Sequence, residues 1–367
     1  MAGKPKGVRP MKDLPYWLAL NCVSVLGARR IGRLLHYCQG DAQAAFNLSE
    51  NDLLEAGLPP KVVNIFITER KNIDPFRELK RCQSLGINVL TLKDENYPEL
   101  LKVIHDPPPV LYYRGRLAVL NSIAVAVVGS RKATAYGKAT AEKISGDLAR
   151  AGVVIVSGMA RGIDTSAHLG ALKGQGQTVA VLGCGLDICY PPENKSLREK
   201  IVQSGAIVSE FPLGTPPKPA HFPRRNRILS GLSQAVVVVE AAQKSGALIT
   251  ADCALEQGRD VFAVPGSINS PYSKGCHKLL KEGAAVAENA DDILQALGLQ
   301  PARKAEDPGE ISEQAAAVLA KLEYEPVHFD TIVTACGLSA AELAIVLIEL
   351  ELKGMIKKMP GNFFLRV

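Results

Sequence analysis

IAVAVVGSRKATAYGKATAEKISGDLARAGVVIVSGMARGID, residues 123–164, decides the fold of this chain. It opens on an unbroken apolar run (123–128), turns at Gly129-Ser130, passes through a helix-length segment (134–150) and returns to a second apolar run, VVIV (153–156). Continuous rather than alternating hydrophobicity means a strand covered on both faces, as in a parallel sheet with helices on each side. The rhythm continues outward in TVAVL (178–182), AIV (206–208), AVVVVE (235–240) and VFAVP (261–265), with helix-length spacers such as 250–258. Crossovers between parallel strands are almost always right-handed, so the chain is expected to form a Rossmann-like, doubly wound, mostly parallel α/β sheet.

Flanking this core are segments of different character. Residues 14–70 carry apolar residues at helical spacing, punctuated by Gly27, Gly32 and Gly57-Leu58-Pro59-Pro60, and read as short helices. LGINVLTL (85–92) and VLYYRG (110–115) read as short strands bridging into the core, around a loop, HDPPP (105–109), that three prolines bar from helix. PARKAEDPGE (301–310) reads as a linker. Beyond it, three helical patterns and two strands joined at Pro360-Gly361-Asn362 describe a winged-helix module. The expected division is a helical domain (1–80), the sheet domain (81–300), the linker and the winged helix (311–367).

With 367 residues, 47% hydrophobic and 22% charged, the composition is globular and excludes wholesale disorder. No apolar run approaches the roughly 18 residues of a membrane-spanning helix. The basic N-terminus lacks the apolar stretch of a secretion signal. Eight cysteines form no C-x-x-C pair, so reduced core thiols in a cytoplasmic protein are expected rather than a disulfide framework or a metal site. The net charge of +6 is unevenly spread, with +5 over 1–120, +4 over 121–300 and −3 over 309–367. Such a division fits polyanion binding by the body and not by the tail.

In an open parallel sheet, ligands sit beyond the carboxyl ends of the strands. Three strand-to-helix turns there have the chemistry of anion sites. Gly129-Ser130-Arg131 combines a sharp turn, a hydroxyl and a forked cation. Ser157 to Asp164 repeats the logic with Arg161 and Gly162, Asp164 serving as a cap or an arginine partner. Lys244-Ser245-Gly246 opens a third helix. The densest signal is His221-Phe222-Pro223-Arg224-Arg225-Asn226-Arg227, read as a surface loop after the proline-rich stretch 212–219. Its arginines and Asn226 offer phosphate donors and Phe222 a stacking face; the alternative is an intramolecularly paired cluster with Phe222 in the core. Asp187, Glu210, Glu240 and Glu256 near strand ends read as caps or arginine partners. Dinucleotide (G-x-G-x-x-G), P-loop, nucleophile-elbow and H-E-x-x-H motifs are all missing, so no cofactor, metal or catalytic residue is expected. The winged helix carries Glu342, Glu349 and Glu351 on its would-be recognition helix, which favours a protein contact or autoregulation over DNA reading.

VVGSR (127–131), SGMARGID (157–164), GLDICYPPEN (185–194), FPRRNRILSGLS (222–233), SGALITADCALEQGRDVFAVPG (245–266) and KGCHKLLKEGA (274–284) together resemble, in order, the DprA/Smf family of DNA-processing proteins. YPELLKVIHDPPPVLYYRG (97–115) is similar to the segment preceding that family's core. The N-terminal helices look like its sterile-alpha-motif or helix-hairpin-helix-like domain. The resemblance implies a cytoplasmic, homodimeric protein that binds single-stranded DNA, protects it during natural transformation and loads the RecA recombinase. It also implies that Gly129, Ser130 and Arg131, with Phe222, Arg224, Arg225, Asn226 and Arg227, belong to the DNA pocket. Two other classes compete: a nucleotide phosphoribohydrolase on a related sheet, with Glu240 the residue to test, and a scaffold whose sheet binds nothing.

Overall fold

The computed structural model describes residues 13–300, 311–322 and 325–366. The basic first twelve residues and the expected linker 301–310 lie outside the described residues. Six short helices lead: α1 (Leu14–Cys22), α2 (Ala28–Tyr37), α3 (Ala42–Asn47), α4 (Glu50–Glu55), α5 (Pro60–Arg70) and α6 (Pro75–Ser84). Side-chain caps set several of their starts: Asp41, Ser49 and Asp74 accept the amides of Ala44, Asp52 and Phe76. Trp17, Leu18, Leu34, Leu53 and Phe66 close a core that continues into Tyr112, Ala180 and Ile207 beneath it. Helix α6 runs through residue 80, so the expected boundary there falls inside a helix.

One nine-stranded sheet follows. Its strands are β1 (Asn88–Thr91), β2 (Val110–Gly115), β3 (Ala124–Val128), β4 (Val154–Ser157), β5 (Thr178–Val181), β6 (Ala206–Ser209), β7 (Ala235–Val238), β8 (Asp260–Ala263) and β9 (Ala285–Val286). Their spatial order is β1-β2-β6-β5-β4-β3-β7-β8-β9. All six strands expected of the core are present and pair in parallel. The two strands read as a bridge instead join the same sheet: β2 pairs antiparallel with the free edge of β6, and β1 with β2. Val110 to Tyr113 are buried, because β2 covers an edge that would otherwise expose unpaired amides.

The helices that wrap the sheet are α7 (Glu99–Lys102), α8 (Ala135–Arg150), α9 (Ile163–Lys173), α10 (Lys195–Ser204), α11 (His221–Gly231), α12 (Gly246–Glu256), α13 (Lys274–Lys281) and α14 (Ala290–Ala296). Neighbouring residues of one strand serve opposite cores. Val125 and Val127 pack with Ile144 and Leu148 of α8, while Ala126 and Val128 pack with Ile228 and Leu229 of α11. This two-sided burial is the cause of the unbroken apolar runs. From β3 the chain winds outward through β4, β5 and β6, then returns to the other side of β3 for β7, β8 and β9. The switch point therefore lies between β3 and β7.

The C-terminal module holds α15 (Glu313–Lys321), β10 (Val327–His328), α16 (Phe329–Cys336), α17 (Ala340–Leu352), β11 (Ile356–Met359) and β12 (Phe363–Arg366). It is the expected winged helix, with its own core around Val318, Leu343, Leu347 and Phe364. Ser339 and Glu342 form a capping box at the start of α17. Lys357 reaches Glu142 of α8 at 3.9 Å. Among the described residues no single helix is long and apolar enough to cross a membrane.

Candidate nucleic-acid interface

A cavity of about 690 Å³ opens at the switch point. Its walls are the β3–α8 turn (Gly129 to Lys132), the start of α12 (Ser245 to Ala247), Tyr190, and the face of α11 bearing Phe222, Arg225 and Asn226.

The β3–α8 turn spends its amides internally. Ser130 donates its N–H to the Glu240 carbonyl at 2.7 Å, and its hydroxyl accepts the Lys132 amide at 3.1 Å. Two of the turn's amides are thus used within the protein, and Arg131 and Lys132 present their side chains at the cavity. Arg131 is exposed, with its guanidinium 4.7 Å from the centre of the Phe222 ring, a cation–π distance. Gly162 lies beneath this turn. Its φ is +79°, and a Cβ at this position would fall 2.2 Å from the Ser130 carbonyl oxygen, so glycine alone fits.

The run His221–Arg227 is not a loop. It forms the first two turns of α11, with Pro223 in the first turn, where a missing N–H costs nothing. A helix turns about 100° per residue, so consecutive arginines cannot share a face. Arg225 and Asn226 line the cavity. Arg227 is buried on the other side, donating to Glu210 at 2.8 Å and Asp106 at 2.9 Å. Arg224 pairs with the same Glu210 oxygen at 2.9 Å and lies 5.2 Å over Phe211. Helical phase therefore divides the cluster: Arg224 and Arg227 are paired within the protein, while Phe222, Arg225 and Asn226 line the cavity.

Arg225 is only 3% exposed and lies flat against Gly158, where a side chain's Cβ would fall 2.1 Å from Nη1. That Nη1 donates to the Val181 carbonyl, while Nε finds no acceptor among the described residues. Burial lowers the guanidinium pKa to about 10, which still leaves it charged at neutral pH; nearby Asp164 favours the charge. Asp164 is itself buried, and desolvation pushes its carboxyl up while Arg225 pulls it back. The cavity floor is a cation with donor capacity in reserve.

The remaining expected residues divide. Ser245 caps α12 by accepting the Ala247 amide, and the Gly246 carbonyl accepts the Asn226 side chain at 3.2 Å. Arg161 is exposed, ion-paired with Glu193, and lies off the cavity wall, as does exposed Lys244. Several lining residues went unread: Lys132, Thr250, Tyr272 and above all Tyr190, whose ring sits 5.8 Å from Phe222. An aromatic beside two prolines in C-Y-P-P, 36% exposed, was the available signal.

Of the four strand-end carboxylates, three are occupied as expected. Asp187 accepts the Gly214 amide at 2.8 Å and faces Arg81. Glu210 serves Arg224 and Arg227. Glu240 takes the Thr134 amide at 2.9 Å and its hydroxyl at 2.5 Å, fixing the start of α8. On the N-terminal helices, Arg30 and Arg33 donate to the Val25 and Gly57 carbonyls, a structural use.

The switch point of the parallel sheet thus gathers three cations (Arg131, Lys132, Arg225), three aromatic rings (Phe222, Tyr190, Tyr272) and the buried Asp164 carboxylate, in a chain that also carries a winged helix. The sequence profile described as DNA recombination-mediator protein A matches residues 88–298, beginning at the first residue of β1. The profile described as the DprA winged helix domain matches residues 300–362. The chain belongs to the DNA recombination-mediator protein A family. It is 36% identical to Protein Smf of Synechocystis over 96% of this chain and 98% of that protein. It is 37% identical to Protein Smf of Escherichia coli, over 96% of each. Among solved structures, DNA processing protein A of Streptococcus pneumoniae superposes with a TM-score of 0.68 at 39% identity, covering 78% of this chain and 98% of that one. DNA processing protein A of Helicobacter pylori, described for its single-stranded DNA binding mode, gives a TM-score of 0.53 at 33% identity, over 57% of this chain and 95% of that one.

Proposed function

We propose that the chain is a non-enzymatic, cytoplasmic mediator that holds single-stranded DNA in the crevice between β3 and β7. Buried Arg225 carries the reading: it lines the same cavity wall as Arg131 and Phe222, a fixed cation where a phosphate would sit. Arg131 and Lys132 add mobile cations at the mouth, and Phe222 and Tyr190 offer faces on which bases stack with little sequence preference. The full expected set comprises Gly129, Ser130, Arg131, Arg161, Gly162, Phe222, Arg224, Arg225, Asn226, Arg227, Lys244, Ser245 and Gly246. Within it, Arg224, Arg227 and Gly162 act by positioning the turn and α11. Engagement of both Glu240 oxygens by Thr134 argues against the hydrolase alternative. The protein would work as a homodimer, protecting incoming DNA in natural transformation and passing it to RecA. The expected four-part division (1–80, 81–300, 301–310 and 311–367) completes the proposal, with its first boundary moved from 80 to the end of α6 at Ser84.

Phe222→Ala tests the crevice. It removes a stacking face worth about 1–3 kcal/mol per base, so single-strand affinity should fall about 5- to 150-fold while melting changes little, the ring being half-exposed. Unchanged affinity for an unstructured oligonucleotide would move the site elsewhere. Loading is read separately, as faster RecA filament growth on single strands in the presence of this protein.

A further inference from the structure

The winged helix has two apolar faces on its third helix, and only one is needed for folding. Leu343, Val346, Leu347 and Leu350 of α17 face inward and fill the module's core. On the outer side Ile345, Ile348 and Leu352 are 69%, 57% and 83% exposed. At 100° per residue these three span roughly 60° of arc, so they form one stripe along the helix. Glu342 and Glu349 run along one edge of it and Glu351 along the other. Lys353, the helix-end cation, is paired with Glu349 at 3.2 Å. The helix packs on α15, α16 and β11 with its inner face, and the stripe stays exposed. Single exposed aliphatic residues are ordinary, but three aligned on one helix and rimmed by like charge mark a contact surface.

Charge decides the occupant. Duplex DNA seated on this helix, as on the recognition helix of a DNA-reading winged helix, would set phosphates against Glu342, Glu349 and Glu351. A protein with an apolar stripe flanked by Lys or Arg meets both features at once, in the manner of an amphipathic helix on a matching face. We propose that the outer face of α17 docks a partner protein through such a basic amphipathic helix, leaving the sheet crevice free for its own ligand.

The test uses the full chain and labelled synthetic helical peptides with leucines at i, i+3, i+4 and i+7, flanked by lysines in one peptide and glutamates in its twin. The lysine peptide should bind at least about tenfold tighter than the twin, and Ile348→Lys with Leu352→Lys should weaken it at least about tenfold. Both substitutions are at exposed positions, so melting temperature and single-strand affinity should hold. Equal binding of the two peptides, or binding that survives the substitutions, would overturn the proposal. So would loss of duplex affinity in the variant, or its loss of wild-type self-association in sedimentation, since each names a different occupant. Single-strand affinity, measured in parallel, reports on the crevice independently.

Discussion

Arg225→Met is expected to have two separable effects. It leaves Asp164 buried without the charge that most opposes its desolvation, which should cost stability. For a chain of 367 residues each 1 kcal/mol lost lowers the melting temperature by about 1–2 °C. It also removes the cavity's fixed cation, so single-strand affinity should drop more than about tenfold. Adding Asp164→Asn neutralises the stranded carboxylate and should restore most of the stability but none of the affinity. Arg131→Ala together with the double variant should abolish binding. If the Arg225→Met, Asp164→Asn protein binds single strands like the wild type, Arg225 is a structural residue and the floor of the site has been misassigned.

The second large effect is in acid. His168 on α9 is fully buried. The Thr178 hydroxyl gives its proton to the Ile155 carbonyl at 2.7 Å, so it accepts from His168 Nδ1 at 2.7 Å, which leaves Nε2 an acceptor with no partner among the described residues. Burial, and then the charge of Arg225, lower the His168 pKa from 6.5 to about 3. The unfolded chain takes up this proton near pH 6.5, whereas the folded chain resists it until about pH 3. The stability tied to His168 is therefore complete above pH 6.5 and is lost as pH falls toward 3, at up to about 1.4 kcal/mol per pH unit. Asp164 acts oppositely. Its raised pKa gives stability that is full below the ordinary 3.8 and lost as pH rises through the folded value. His168→Leu orphans no polar group, because Thr178 keeps its acceptor, so urea unfolding should show a flatter decline between pH 6.5 and 4. Identical slopes in the two proteins would show that the imidazole is protonated in the folded state.

How much of this was legible in the sequence follows from how local each cause is. The six core strands were readable because two-sided burial writes itself into every residue of a run such as Ala124–Val128. The winged helix was readable from three helical periods and a turn tripeptide. The role of β2 was not, since VLYYRG carries no mark of which edge it will cover. The anion-type turns were found at the right edge of the sheet, yet the use of the Ser130 amide by Glu240, more than a hundred residues away, is a tertiary fact. The arginine cluster was the instructive case. Prolines before it suggested a loop, but a proline in a helix's first turn is permitted, and helical phase then separated Arg225 from Arg224 and Arg227. Of their partners, Glu210 directly follows the preceding strand and Asp106 comes from a segment more than a hundred residues away, which no local pattern connects.

The central claim is that the crevice between β3 and β7 takes single-stranded DNA through phosphate contacts. Fluorescence anisotropy of labelled single-stranded and duplex oligonucleotides, titrated with the wild-type chain at several salt concentrations, tests it most directly. The account predicts preference for the single strand and a log-affinity that falls linearly with log salt, with a slope of about −2 for three phosphates at −0.7 each. Equal affinity for duplex, or single-strand binding indifferent to salt, would contradict it.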